Sequence, residues 1–264
     1  MCLSYGSGLC PLIEPCVFLK NIASLAPNVM MLKKQLYLLG LLWLGVACSG
    51  EDPALLMTVE GNVRGLKKGV LYLQTIADSS LVSIDSVEIR GDGNFNFQAR
   101  VPEPDVYYLY LQNADNNDLD DRITFFGAPG TYRIETRWDN FEGDARVEGT
   151  LIHQKFQTYR ENMSRFNLQQ LELSTELSRL AMPSDSIKGD SLQNALDRSL
   201  KRSYLYALNF ALSNKDSQLA PYIAWAEVSD ANPTYLDSVY RSLPPQIADS
   251  KYGKRLKELL EQTP

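Results

Sequence analysis

The stretch Leu81-Val-Ser-Ile-Asp-Ser-Val-Glu-Ile89, the turn Gly91-Asp-Gly93 and the run Phe95-Asn-Phe97 decide the fold class. Apolar and polar residues alternate on both sides of the turn. A period of two is what a half-buried strand requires. The pair Asp92-Gly93 between alternating runs predicts a hairpin, because glycine takes the positive φ of a tight turn without steric cost. The same rhythm extends outward. Leu55 to Val59 and Val70 to Ile76 precede it; Val106 to Leu111, Arg122 to Phe126 and Thr131 to Trp138 follow, with a short run at Ala145 to Val147. Seven or eight short strands over residues 54–149, with no helix between them, predict an antiparallel β-sandwich or barrel-like domain.

From Thr150 the period changes to that of a helix. Leu151, Phe156, Tyr159, Met163, Phe166, Leu171 and Leu173 open a long helical stretch that stops before Pro183. Ser184-Asp-Ser-Ile187 offers the next start. Leu192, Leu196, Leu200, Tyr204, Leu208 and Leu212 then recur every fourth residue and are expected to form one core-facing stripe. Leu219 to Val228, Thr234 to Leu243 behind Asn232-Pro233, and Lys251 to Gln262 complete about five helices over residues 150–264. The expected class is α+β, a sheet domain followed by a helical bundle packed on or beside it.

Composition narrows the function. The 264 residues are 44% hydrophobic and 22% charged, with a net charge of −6. An acidic chain without a long basic run is a poor ligand for phosphate backbones, so no nucleic-acid partner is expected. The four cysteines, Cys2, Cys10, Cys16 and Cys48, all fall in the first fifth of the chain, and His153 is the one histidine. That excludes a Cys/His zinc site, a disulfide framework and a CxxC redox centre in the body. No GxSxG, HExxH, P-loop or GxGxxG motif occurs, so neither a catalytic constellation nor a cofactor is expected. His153 alone lacks a positioned partner and reads as a half-exposed residue at a helix start. The acidic loop Asp115 to Asp121 fails the spacing of a calcium loop, since Leu119 and Asp120 stand where an oxygen ligand and a glycine are needed.

The amino terminus carries an address. Met31-Leu-Lys-Lys34 is followed by an uncharged apolar run from Leu36 to Val46, well short of the about 20 residues that span a bilayer. Charged start, apolar run and small-residue end form a secretory signal. Gly45-Val-Ala-Cys48 resembles the lipobox of bacterial lipoproteins, with Gly45 in place of the usual leucine. The resemblance implies a diacylglyceryl group on Cys48, cleavage before it and acylation of its new amino group. Residues 31–47 are thus expected to be a lipoprotein signal peptide outside the fold, 48–53 a tether, and 1–30 an upstream stretch that either arises from a mis-assigned start or is disordered. The pair Glu51-Asp52 resembles the surface-export signal of Bacteroidota-type lipoproteins; a plain solvated tether is the alternative.

A second resemblance rests on Gly61, Leu71-Tyr-Leu73, Asp85-Ser86, Gly93 to Phe97, Pro102-Glu-Pro104 with Tyr107-Tyr108, Gly130, Leu243-Pro-Pro245 and Ser250 to Lys254. In this order they resemble the domain-of-unknown-function family numbered 4369, over most of residues 55 to 260. The family is found at the amino terminus of Bacteroidota lipoproteins. In many relatives a thioredoxin-like domain with a CxxC pair follows; no CxxC occurs here, so thiol–disulfide activity is not carried over. Asp-Ser followed by an aliphatic residue also resembles the O-glycosylation motif of such bacteria. It makes Ser186, Ser191 and Ser238 candidate acceptors, with Ser86 the poorest because it falls in a strand.

These readings imply a lipid-anchored protein of the cell envelope, in either leaflet of the outer membrane. It would act as a non-catalytic interaction module, partnering a thioredoxin-like protein in trans or an envelope complex. One alternative is a carbohydrate or small-ligand binder using Tyr107, Tyr108, Tyr132 or Trp138. Of the first two, alternation leaves at most one in the core. Another alternative is a hydrolase with an unrecognised carboxylate pair.

Overall fold

A computed structural model describes residues 53–77, 80–112, 122–180 and 186–262. They belong to one compact unit. The strands are β1 (Leu56–Arg64), β2 (Lys68–Ala77), β3 (Ser80–Arg90), β4 (Asn94–Arg100), β5 (Asp105–Gln112), β6 (Arg122–Gly127), β7 (Gly130–Arg137) and β8 (Arg146–Glu148). They make two four-stranded sheets, ordered β4-β1-β7-β8 and β3-β2-β5-β6. The inner faces meet in one core, where Met57, Val59, Phe97 and Tyr132 of the first sheet pack on Leu71, Leu73, Leu109 and Phe125 of the second. This is the α+β sandwich that the alternation predicts, with one departure: β1 pairs with β7 in parallel.

The Gly91-Asp-Gly93 turn is present, but it is not a hairpin. Strand β3 belongs to the second sheet and β4 to the first, so the turn is a corner between layers. Gly91 donates its N–H to Lys67 O at 2.9 Å, and Gly93 O accepts from Val63 N at 2.9 Å. The two glycines thus bond the ends of β1 and β2 rather than each other. Gly93 has φ +73°, and a Cβ there would lie 2.2 Å from Val63 O, so both conformation and space select glycine.

The helices are α1 (Leu151–Arg179), α2 (Ser186–Ser213), α3 (Leu219–Tyr222) continued by a π-helical turn at Ile223–Glu227, α4 (Pro233–Ser242), α5 (Pro245–Ala248) and α6 (Lys251–Gln262). Asn232 caps α4 by accepting the Thr234 N–H at 2.9 Å. Pro244-Pro245 follows α4 and starts the short α5, because proline is tolerated in a first helical turn. The helices cover the outer face of β5 and β6. There Val106 and Phe126 join Phe156, Tyr159, Ala220 and Ile223 in a second core. Burying a ring such as Phe156 is worth about 1.5–3 kcal/mol.

The α2 stripe differs from expectation. Its buried residues are Ser199, Ser203, Ala207, Leu208 and Ala211, while Leu200 is 39% exposed and Leu212 is also exposed. Each step of four residues overshoots a 3.6-residue turn by about 40°, so a leucine series rotates away from any fixed partner over its length. The small residues allow α1 close: Ser199 Oγ donates to Gln169 Oε1 at 2.9 Å, and Gln170 Nε2 donates to Ser203 Oγ at 3.3 Å.

Candidate functional site

The aromatic candidates separate by burial. Tyr107 stacks on Phe125 inside the sandwich, with ring centroids 5.8 Å apart. Tyr108 points the other way and packs against the helical core. Neither faces outward freely, because the helices cover the sheet face that alternation assigns to solvent. Tyr132 is fully buried, and its hydroxyl is fully engaged. It donates to Phe126 O at 3.2 Å and accepts the Ala128 N–H at 2.8 Å; the Thr150 hydroxyl lies 2.6 Å away. Trp138 alone of the four stays open, at 48% exposure.

His153 is buried at 3% exposure rather than half-exposed. Strand β6 is a sheet edge, and its outward backbone groups need partners. Phe126 N–H donates to His153 Nδ1 at 3.4 Å, Phe126 O is taken by Tyr132, and Thr124 O accepts from Arg160 Nη1 at 3.4 Å. Accepting at Nδ1 places the neutral ring's proton on Nε2. Nε2 has no partner in hydrogen-bond geometry, although the Val147 carbonyl is near enough to favour protonation slightly. Burial dominates and pushes the imidazole pKa down. The adjoining groove of about 590 Å³ is lined by His153, Arg160 and Arg165 with Glu142 and Glu161. Here His153 closes a strand edge.

The outer face of the β4-β1-β7-β8 sheet has a different character. Its side chains lie in rows set by the strand register. Glu60, Arg133 and Glu148 form one row; Asn62, Glu135 and Arg146 form the next. In the third row Arg64 stands opposite Arg137. Arg133 reaches Glu60 at 3.4 Å, and Arg137 engages Asp139 at 3.0 Å through Nε and Asp144 at 3.6 Å. The Arg137 guanidinium holds the Asp139 carboxyl below its ordinary range. Arg64 has no ion pair among the described residues. A concavity of about 690 Å³ opens here, lined by Arg64, Arg133, Arg137 and Arg146 with Glu135, Asp144 and Glu148. Trp138 directly follows Arg137, and its ring lies against Gly65, where a Cβ would come within 2.6 Å of Cδ1. Composition placed no cationic site here, because arginine spacing has no meaning until the register is known.

At the opposite face, Asp105 ties the sheet to α6. Its carboxylate takes the Lys251 ammonium and the Tyr252 hydroxyl, and accepts its neighbour Val106 N–H at 2.8 Å. Lys251 Nζ also donates to Ile76 O at 3.1 Å. Burial, reinforced by the Asp105 charge, pushes the Tyr252 phenol up.

Of the candidate acceptors, Ser191 lies exposed inside α2, Ser238 lies exposed in α4 with Oγ donating to Thr234 O at 2.8 Å, and Ser186 is the first residue of α2. Ser86 is exposed in β3. Cys48 and the acidic loop 115–121 lie outside the described residues. Among the described residues no helix is long and apolar enough to cross a membrane, and no three His, Cys, Asp or Glu converge as metal ligands.

Residues 57–156 match the model of a family described as a domain of unknown function (DUF4369). The matched stretch comprises the whole sandwich and α1 as far as Phe156, so it contains the Tyr132 and His153 seam. The likeness read over residues 55 to 260 narrows to this portion. No curated protein and no solved structure matches the chain.

Proposed function

We propose, taking as premise that the sandwich of this chain belongs to the DUF4369 family, that the protein is a lipid-anchored binding module of the cell envelope. The observation that carries the reading is the order of the chain. The apolar run and Gly45-Val-Ala-Cys48 are followed within a few residues by the folded unit, whose first described residue is Pro53. An extended chain rises at most about 3.5 Å per residue, so an acyl group on Cys48 would hold Leu56, the start of β1, within about 28 Å of a bilayer. Two or more acyl chains make such an anchor stable, at about 0.8 kcal/mol per buried methylene.

Two surfaces support a binding role. One is the arginine-rich concavity on the outer face of the β4-β1-β7-β8 sheet. The other is β3, an 11-residue sheet edge with Leu81, Val82 and Ile84 exposed, which offers unpaired backbone groups to a protein partner such as a thioredoxin-like domain in trans. Membrane fractionation tests the anchor. The native chain is expected in the detergent-soluble membrane fraction and Cys48→Ser in the aqueous fraction. A wild-type chain released by salt alone would refute the reading.

A further inference from the structure

We propose that the free end of the β2–β3 ribbon, with the neighbouring start of α6, rests on the headgroup layer of the bilayer that carries the protein. Ile76, Leu81 and Val82 would enter that layer, and Lys254 and Arg255 would reach its phosphates. The inference rests on the anchored-module reading and goes beyond it. It gives this end of the ribbon to lipid and leaves the β3 edge from Ile84 to Arg90 to a protein partner.

The strand register shows that the ribbon stands free. Strand β2 pairs with β5 only as far as Thr75, opposite Tyr107, whereas β2 and β3 stay paired out to Ala77 and Ser80. The register shifts between Leu73 and Gln74, which leaves Ile84 as an extra residue in β3. A bulge of this kind bends a strand pair and adds twist. Every residue from Ser80 to Ser86 is exposed. Ile76 stands opposite Leu81 and Thr75 opposite Val82, so successive pairs present apolar side chains to opposite faces. A protein surface covers one face of a ribbon, whereas the headgroup layer surrounds the ribbon and takes up both. Asp78 and Ser79 separate the two strands, and these polar residues limit the contact to headgroup depth.

The second observation is where the chain enters. Leu55 O accepts the Val101 N–H at 2.8 Å, Leu56 lies opposite Arg100, and Met57 lies opposite Gly130. Short links join these positions to the other sheet. Residues 101–104 lead from β4 to Asp105, which lies opposite Gly127, and Ala128-Pro129 joins Gly127 to Gly130. The start of β1 and the free end of the ribbon therefore share one end of the sandwich. Helix α6 starts there too, since Lys251 N–H donates to Glu103 Oε2 at 2.9 Å and Lys251 Nζ to Ile76 O at 3.1 Å. A lipid on Cys48 would turn this end toward the bilayer.

The chemistry beside the ribbon fits a water–lipid boundary. A groove of about 860 Å³ is lined by Ile76, Trp225, Lys254, Arg255 and Glu258. The Arg255 guanidinium lies 4.7 Å from the centre of the Trp225 ring. Such side chains pair an apolar ring or stem with a polar tip, which is why they gather at membrane interfaces. Asp105, on the same lining, is taken up by Lys251 and Tyr252. Glu258 offsets part of the positive charge, so the apolar side chains carry the contact and added salt weakens it only slightly.

Hydrogen exchange of the full native chain, with and without vesicles of phosphatidylethanolamine and phosphatidylglycerol, tests this, with flotation run alongside. On vesicles the amides of residues 76–82 are expected to exchange about tenfold more slowly, the effect of burying one such side chain. The segment of α1 around Leu168 and Leu171, also exposed leucines, should not change. Leu81→Asp combined with Val82→Asp should abolish the slowing and melt like the parent, since both side chains are exposed. Flotation without slowing at residues 76–82 overturns the proposal, as does absence of flotation. So does slowing that needs no vesicles and grows with protein concentration, which marks a second copy on the edge. Acylation of Cys48 is read separately by mass, so failure of the anchor and failure of this contact are told apart.

Discussion

His153 is neutral in the fold because burial lowers its pKa, whereas in the unfolded chain it titrates near 6.5. Above that pH both states leave the ring uncharged. As pH falls below about 6.5 the unfolded chain takes up the proton first, so stability drops until the depressed folded value is reached. Urea melts between pH 7 and 5 should show this loss in the parent and a smaller one in His153→Asn. Identical slopes would mean the ring is not the titrating group. Gly61 gives a second test, since a Cβ there would lie 1.8 Å from Ile134 O in the parallel partner strand. Gly61→Ala should lower the melting midpoint by more than the about 1 kcal/mol of an average substitution. An unchanged midpoint would contradict the close strand approach. In the sequence Gly61 stood just past the run Leu55 to Val59, whereas β1 continues through it to Arg64. The role of His153 was not legible there, because its partner is a backbone N–H in β6, 27 residues earlier.

Strands facing solvent on one side were legible: β4 buries Phe95, Phe97 and Ala99 and exposes the residues between. Strand β5 was legible as a strand but not in its environment, since Val106 and Tyr107 are both buried, one toward the helices and one inside the sandwich. Helix-on-sheet covering is a long-range fact that local periodicity does not carry. The same holds for α2, whose buried stripe consists of serines and alanines apart from Leu208. Asp105 is the charged tie between the sheet and α6; its side chain is 14% exposed against 27% for Lys251. Removing one partner of such a shielded pair costs about 3 kcal/mol. Asp105→Asn is therefore expected to destabilise α6 against the sheet, read as early loss of amide protection in Lys251–Gln262 by hydrogen exchange. Global unfolding with no early loss there would contradict the clamp.

At the scale of the molecule, the order of sandwich before helices was legible because the sequence period changes once, near Thr150, where α1 begins at Leu151. The sheet order and the parallel β1–β7 pair were not, since register depends on which strands meet. The arginine-lined concavity inherits that limit, since its arginines come from three strands. Whether the folded body is carried on a lipid is read directly by the intact mass and amino-terminal peptide of the chain extracted from native membranes. The expected result is a polypeptide starting at Cys48 with an acylglycerol on its sulfur; a different first residue, or an unmodified thiol at Cys48, would contradict it.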